Sequence, residues 1–222
     1  MVIYLDSGSL EDIEIYGPRV AGFTTNPTLL KKSGIADYAE FAHEALKLIW
    51  GRPISFEVFA DEMEDMEYQA RTLSSWGENI YVKIPVTNTK GFSCRSLIHR
   101  LSLAKVKLNV TAVMTFEQIN TICRSLHYDS ILSIFCGRIA DTGRDPLPFI
   151  TRACAVTHSL TRILWASARE ILNIKQAGAA GADIITLGPE LLKKLRFLDK
   201  DLQLFSLETV RQFHEDGKEF KL

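Results

Sequence analysis

The chain has 222 residues, 46% of them hydrophobic and 24% charged, which allows one large α/β unit or two small ones. Lys and Arg number 26 against 27 Asp and Glu, a formal net charge of -1, so no basic field draws the chain to nucleic acid or an anionic membrane, and any anion must be held locally. The four cysteines, Cys94, Cys123, Cys136 and Cys154, form no CxxC pair and meet no histidine cluster, which argues against a zinc site or a disulfide scaffold.

Short apolar runs alternate with longer amphipathic stretches. Val2–Leu5 is the first predicted strand, with Asp6 at its C-terminal end and Ser7, Gly8 and Ser9 as turn and capping residues for a helix over Leu10–Tyr16. Val20–Thr24 is the second, ending in Thr25-Asn26-Pro27, where Pro27 suits the first turn of a helix. Asp37–Trp50 has helical spacing (Tyr38, Phe41, Ala45, Leu46, Ile49) and is stopped by Gly51-Arg52-Pro53. Ile54–Val58 is the third strand, followed by a helix from the acidic Asp61–Tyr68 segment towards Trp76. Ile80–Pro85 is the fourth, and it sets Lys83 between Val82 and Ile84 in a run that reads as buried on both faces. Burial disfavours an ammonium, so such a lysine snorkels to water, finds a carboxylate, or loses its proton and becomes the nucleophile that makes Schiff bases with carbonyl substrates.

A helix from about Lys90 to Leu101 precedes a fifth strand at Lys107–Ala112, and Thr115 caps the next helix. Ser130–Phe135 is the sixth strand, Gly137–Asp145 reads as a loop, and Pro146 opens a helix running to about Ser159. Leu160–Ala166 is the seventh strand, running straight into Ser167 and a helix ending near Gly178. Asp183–Leu187 is the eighth, with a helix opening at Gly188-Pro189. Ser206–Leu222 reads as a last amphipathic helix, suited to pack on the barrel or on a neighbouring subunit. Eight strands alternating with helices predict a single closed (β/α)8 barrel domain over residues 1–222, without a linker or low-complexity break. The N-terminus lacks a leader pattern and no run approaches a membrane span, so a cytoplasmic protein with reduced thiols is expected.

In such a barrel the chemistry sits where the strands end. Seven of the eight predicted ends offer a polar or charged side chain: Asp6; Thr24, Thr25 and Asn26; Glu57; Lys83; Asn109 and Thr111; Ser133 with Arg138 beyond it; Ser167 and Arg169. Ordinary roles compete for several of them. Asp6 could cap a helix, Asn26 could serve the turn before Pro27, and Arg138, Arg144 and Arg152 could be solvated charges. Asn109 and Thr111, two apart, share one strand face and need partners if buried. The five histidines lie in or beside amphipathic helices, away from these ends, which disfavours a histidine base. Trp50, Trp76 and Trp165 read as packing residues at the barrel ends.

Leu5-Asp6, Thr24-Thr25-Asn26-Pro27, Glu57-Val58, Val82-Lys83-Ile84-Pro85, Asn109-Val110-Thr111, Phe135-Cys136-Gly137-Arg138-Ile139 and Ala166-Ser167-Ala168-Arg169 occur in this order over nearly the whole chain. In them the sequence resembles the transaldolase family, particularly its small branch that also contains the fructose-6-phosphate aldolases. The resemblance implies a (β/α)8 barrel acting on sugar phosphates, without a metal or other cofactor, and assembled as a homo-oligomer. It implies Lys83 as the Schiff-base lysine, Asp6 as the acid-base carboxylate, and Glu57 with Thr111 as the pair that holds a water for proton transfer. Asn26 and Asn109 would bind dihydroxyacetone hydroxyls, with Thr25 beside them, and Ser133, Arg138, Ser167 and Arg169 would bind phosphate. Glu57 and Phe135 stand where transaldolases have these residues and the aldolases have glutamine and tyrosine. That implies transfer of a dihydroxyacetone unit to an acceptor aldose rather than its release. An aldolase, the same chemistry retuned to an uncommon sugar phosphate, and a non-catalytic phosphosugar-binding barrel are the alternatives. Phe59, Ile134, Ala168 and Ser7-Gly8 depart from the family pattern and bear on donor and acceptor preference.

Overall fold

The computed structural model describes residues 1–220, and eight parallel strands close in it into a barrel in sequence order, β8 returning to β1. The first half runs β1 (Val2–Asp6), α1 (Leu10–Tyr16), β2 (Gly22–Thr24), α2 (Pro27–Lys32), α3 (Tyr38–Leu48), β3 (Ile54–Glu57), α4 (Met63–Ser75) and β4 (Ile80–Pro85). The second runs α5 (Arg95–Leu103), β5 (Leu108–Val113), α6 (Phe116–Cys123), β6 (Ser130–Ile134), α7 (Cys136–Ala140), α8 (Leu147–Val156), β7 (Thr161–Trp165), α9 (Leu172–Ala180), β8 (Ile184–Leu187), α10 (Pro189–Lys194) and α11 (Leu202–Gly217). This is the (β/α)8 architecture that the alternation of runs predicts, with one further C-terminal helix.

The helices start where the sequence supplies caps. Ser9, Asn26, Asp37 and Asp201 accept from backbone N–H groups of their helices, and Thr115 with Gln118 forms a reciprocal capping box. Strand parity divides the residues between two environments. Leu5, Phe23, Phe56, Val82, Ile84, Val110, Leu132 and Trp165 are buried in the main core, between barrel and helices. A separate cluster of Tyr4, Tyr81, Ile131, Leu164 and Ile184 fills the barrel interior. Gly22 makes room for Tyr4, because an added Cβ would overlap its ring.

A polar knot lies at the end of the barrel where the strands begin. Arg162 donates to the hydroxyls of Tyr4 and Tyr81 and lies over the Tyr81 ring, and the Tyr81 hydroxyl donates to Asp129 at 2.6 Å.

Several sequence expectations are corrected. Gly137–Asp145 is not all loop: Cys136–Ala140 is helical, starting directly from β6. The helix predicted from Lys90 begins at Arg95, because Thr87 and Ser93 pair across a tight turn first. β7 does not run straight into a helix, since Ser167 takes a left-handed backbone (φ 60°) and α9 begins only at Leu172. Trp50 is no packing residue: it follows the end of α3 with φ 50° and is 85% exposed. The last helix ends at Gly217 and has no buried residue, and the part predicted over residues 221–222 lies outside the described residues. No helix of the described residues is long and apolar enough to cross a membrane.

Candidate active site

Inward-facing residues near the ends of the strands open onto a cavity of about 500 Å³. Among the sequence-predicted residues, Lys83, Asp6, Glu57, Thr111, Asn26, Ser133, Phe135, Arg138, Ser167 and Arg169 line it, whereas Thr25 and Asn109 lie just behind its wall.

Lys83 is 5% exposed. Strand register puts Glu57, Lys83 and Asn109 side by side on β3, β4 and β5. The lysine Nζ accordingly lies 3.0 Å from Glu57 Oε2, and it donates to the Thr25 carbonyl at 2.8 Å. The carboxylate in contact with the amine is therefore Glu57. An amine held by two acceptors in a buried place does not snorkel to water.

Asp6 does not cap α1, because Ser9 does. It accepts from Thr24 Oγ1 at 2.7 Å, and Thr24 in turn meets Thr186 Oγ1 at 2.6 Å. Burial pushes the Asp6 carboxyl above the ordinary carboxylate range; the charge of Lys83 and the Thr24 hydroxyl pull it back, while Glu57 adds to the rise. A carboxylate with a raised proton affinity, near an amine in a closed pocket, is suited to taking up and returning a proton.

Asn109 and Thr111 differ in their surroundings. The Asn109 side chain donates to Ser55 Oγ at 3.0 Å and accepts from Ser133 Oγ at 2.6 Å, a polar chain across three strands. Thr111 Oγ1 is buried with no hydrogen-bond partner among the described residues. A register shift between Val110 and Val113, with Ala112 at φ 61°, breaks the β5–β6 ladder beside it. Asn26 uses its Oδ1 to cap α2 at 3.0 Å, so its amide nitrogen is the group left for a ligand.

Cations gather at the mouth. Arg138 leaves the first turn of α7 with its guanidinium 5.9 Å from the Phe135 ring centroid. Arg169 is clamped by Asp141 through two hydrogen bonds, and that carboxylate holds the guanidinium's proton affinity up. Lys32, at the end of α2, lines the same cavity. The sequence reading missed it because a lysine in the last turn of a helix is ordinary surface chemistry. It also missed Thr186, whose only signal is its position opposite Tyr4 on the neighbouring strand, and Ser55, two residues before Glu57 and so on the same face.

Gly137 lets the start of α7 lie close against the Ser167 backbone. An added Cβ would overlap the Ser167 carbonyl, which is backbone and cannot swing away. Gly137→Ala should therefore destabilise the protein by about 2–3 kcal/mol, read as a lower denaturant midpoint, and should raise KM for any phosphorylated substrate. An unchanged KM would separate this contact from the anion end.

A family model described as transaldolase/fructose-6-phosphate aldolase matches residues 3–222. A relative named "Probable transaldolase" from Thermoplasma volcanium is 33% identical over 98% of this chain and 99% of its own length. Another of that name from Dehalococcoides mccartyi is 32% identical over 88% of this chain and 90% of its own. Among solved structures, 3-hexulose-6-phosphate synthase from Salmonella typhimurium superimposes with a TM-score of 0.60 at 15% identity, over 85% of this chain and 89% of that one, a likeness of fold.

Proposed function

This chain belongs to the transaldolase/fructose-6-phosphate aldolase family, and on that premise we propose that it transfers a dihydroxyacetone unit between sugar phosphates through a Schiff base on Lys83. The observation that carries the reading is the buried Lys83 amine, held between Glu57 and the Thr25 carbonyl in a cavity that Asp6 also lines.

In this mechanism the Lys83 amine adds to the C2 carbonyl of a ketose phosphate. Glu57 takes the ammonium proton, and a protonated hydroxyl leaves as water to give the iminium. Thr111, whose hydroxyl has no protein partner among the described residues and which lines the same cavity as Glu57, would hold the water that carries these protons. Asp6 then removes the proton of the C4 hydroxyl. The C3–C4 bond breaks, its electron pair passes into the iminium to form an enamine, and an aldose phosphate departs. The enamine attacks the aldehyde of an acceptor, Asp6 returns its proton to the new hydroxyl, and hydrolysis frees Lys83. Arg138 and Arg169 suit the phosphate end, where a planar guanidinium pairs with phosphate oxygens. Phosphate there competes with Asp141 for Arg169.

Phe135 supports transfer over release. It lines the cavity without a hydroxyl, so it supplies no proton to the enamine, which waits for an aldehyde. Borohydride added during incubation with fructose 6-phosphate should leave one stable adduct, mapped by mass spectrometry to Lys83. Product formation should depend strongly on an added acceptor aldose. An adduct on another residue, or none, removes the Schiff-base reading, and steady release of dihydroxyacetone without acceptor makes the protein an aldolase.

A further inference from the structure

Glu57 faces β2 with both its backbone groups. The β2–β3 ladder runs through Phe23 N–H to the Pro53 carbonyl (2.9 Å) and Thr25 N–H to the Ser55 carbonyl (3.1 Å). In a parallel pair the next rung would run from Glu57 N–H to the Thr25 carbonyl. That rung is not made among the described residues: the β2–β3 pairing stops at Thr24 and Ser55. Glu57 N–H donates instead to the Tyr38 hydroxyl at 2.9 Å, and the same hydroxyl donates to the Glu57 carbonyl at 3.0 Å. The displaced acceptor, the Thr25 carbonyl, is the one that holds Lys83 Nζ.

We propose that Tyr38 is a positioning residue of the active site: its hydroxyl takes over both backbone groups of Glu57, so that the Thr25 carbonyl is left to hold the Lys83 amine. One hydroxyl, able to donate and accept at once, serves one N–H and one C=O together. The ring is held for the purpose by edge-on contacts with Phe56 and Phe59, at centroid distances of 5.9 and 5.8 Å, while Trp76 packs at the margin of the same cluster at 6.3 Å. The hydroxyl therefore arrives on a rigid aromatic stem from α3, outside the barrel, and sets the direction from which both Glu57 and Thr25 address the amine. A Tyr38 serving only to pack would need its ring and not its hydroxyl, which separates the two roles experimentally.

The kinetic arm of the test rests on the Schiff-base reading and the spectroscopic arm does not. In deuterated, isotope-labelled protein, the Glu57 amide should show no scalar coupling across a hydrogen bond to the Thr25 carbonyl, and that coupling should appear in Tyr38→Phe as the missing rung forms. Borohydride trapping of fructose 6-phosphate on Lys83 should slow about tenfold in Tyr38→Phe, the cost of a misplaced amine. Trp76→Phe, which disturbs the same aromatic cluster but no hydroxyl, should trap at the wild-type rate. A Glu57–Thr25 coupling already present in the wild type overturns the proposal without any variant. Unchanged trapping in Tyr38→Phe, or an equal loss in Trp76→Phe, also overturns it. If the wild type forms no adduct at all, the Schiff-base reading falls and the coupling alone decides the role of Tyr38.

Discussion

Replacing Lys83 with methionine should reduce turnover by about four orders of magnitude or more, because it deletes the nucleophile of the proposed covalent route while keeping the length of the side chain. Folding should survive, since Met fits apolar surroundings readily. Stability should nevertheless fall at neutral pH. Lys83 is the cation within 3.0 Å of Glu57, and its charge also eases the buried Asp6 carboxylate. Without it two carboxylates share one pocket, and breaking a largely buried pair in this way costs about 2–3 kcal/mol. The deficit should shrink as the pH is lowered, because Asp6, whose proton affinity burial raises, takes up a proton and relieves the repulsion. Steady-state assays with denaturant unfolding at about pH 5 and about pH 8 check both halves. Turnover within tenfold of the wild type would remove Lys83 from the chemistry.

Asp6→Asn should abolish most activity and at the same time stabilise the protein. Burial raises the Asp6 carboxyl above its unfolded value of about 3.9, with Lys83 and Thr24 opposing only in part. The native state thus binds this proton more tightly than the unfolded chain does. Its contribution to stability is whole below the unfolded value and is lost as pH rises through the raised native value. Above that window the fold carries a buried charge that asparagine would not have, while the amide oxygen can still accept from Thr24 Oγ1. The variant should therefore unfold at higher denaturant than the wild type at neutral pH, with the difference closing in acid. Turnover should drop about 10³-fold through loss of the base. Equal stability at neutral pH would mean that Asp6 is not strained by its burial.

What could be read from the sequence was what repeats. The alternation of apolar runs and amphipathic stretches gives eight strands, and the polar residues at their ends, Asp6, Glu57, Lys83, Thr111 and Ser133, line one cavity. What could not be read was relation between strands. Nothing near Lys83 says that register sets Glu57 beside it, nor that the Thr25 carbonyl is free of its ladder. Tyr38 was counted as one apolar position of a helix, which its ring satisfies, so its hydroxyl left no trace. Gly137–Asp145 was read as loop because the five-residue helix at Cys136–Ala140, capped by Phe135 without a side-chain hydrogen bond, has neither period nor signal. Trp50 misled for the opposite reason: a large aromatic suggests burial, but position past a helix end decided otherwise.

The knot of Tyr4, Tyr81, Arg162 and Asp129 under the barrel has a bearing on traffic. With this knot beneath it, the cavity of the described residues opens at the strand ends, beside the cations at the mouth. A transfer reaction run in such a well is a queue. In the proposed transfer, the first aldose phosphate would leave before the second enters, and the three-carbon fragment held on Lys83 would keep the place between visitors. In the proposed reaction the order of events follows from sharing that opening.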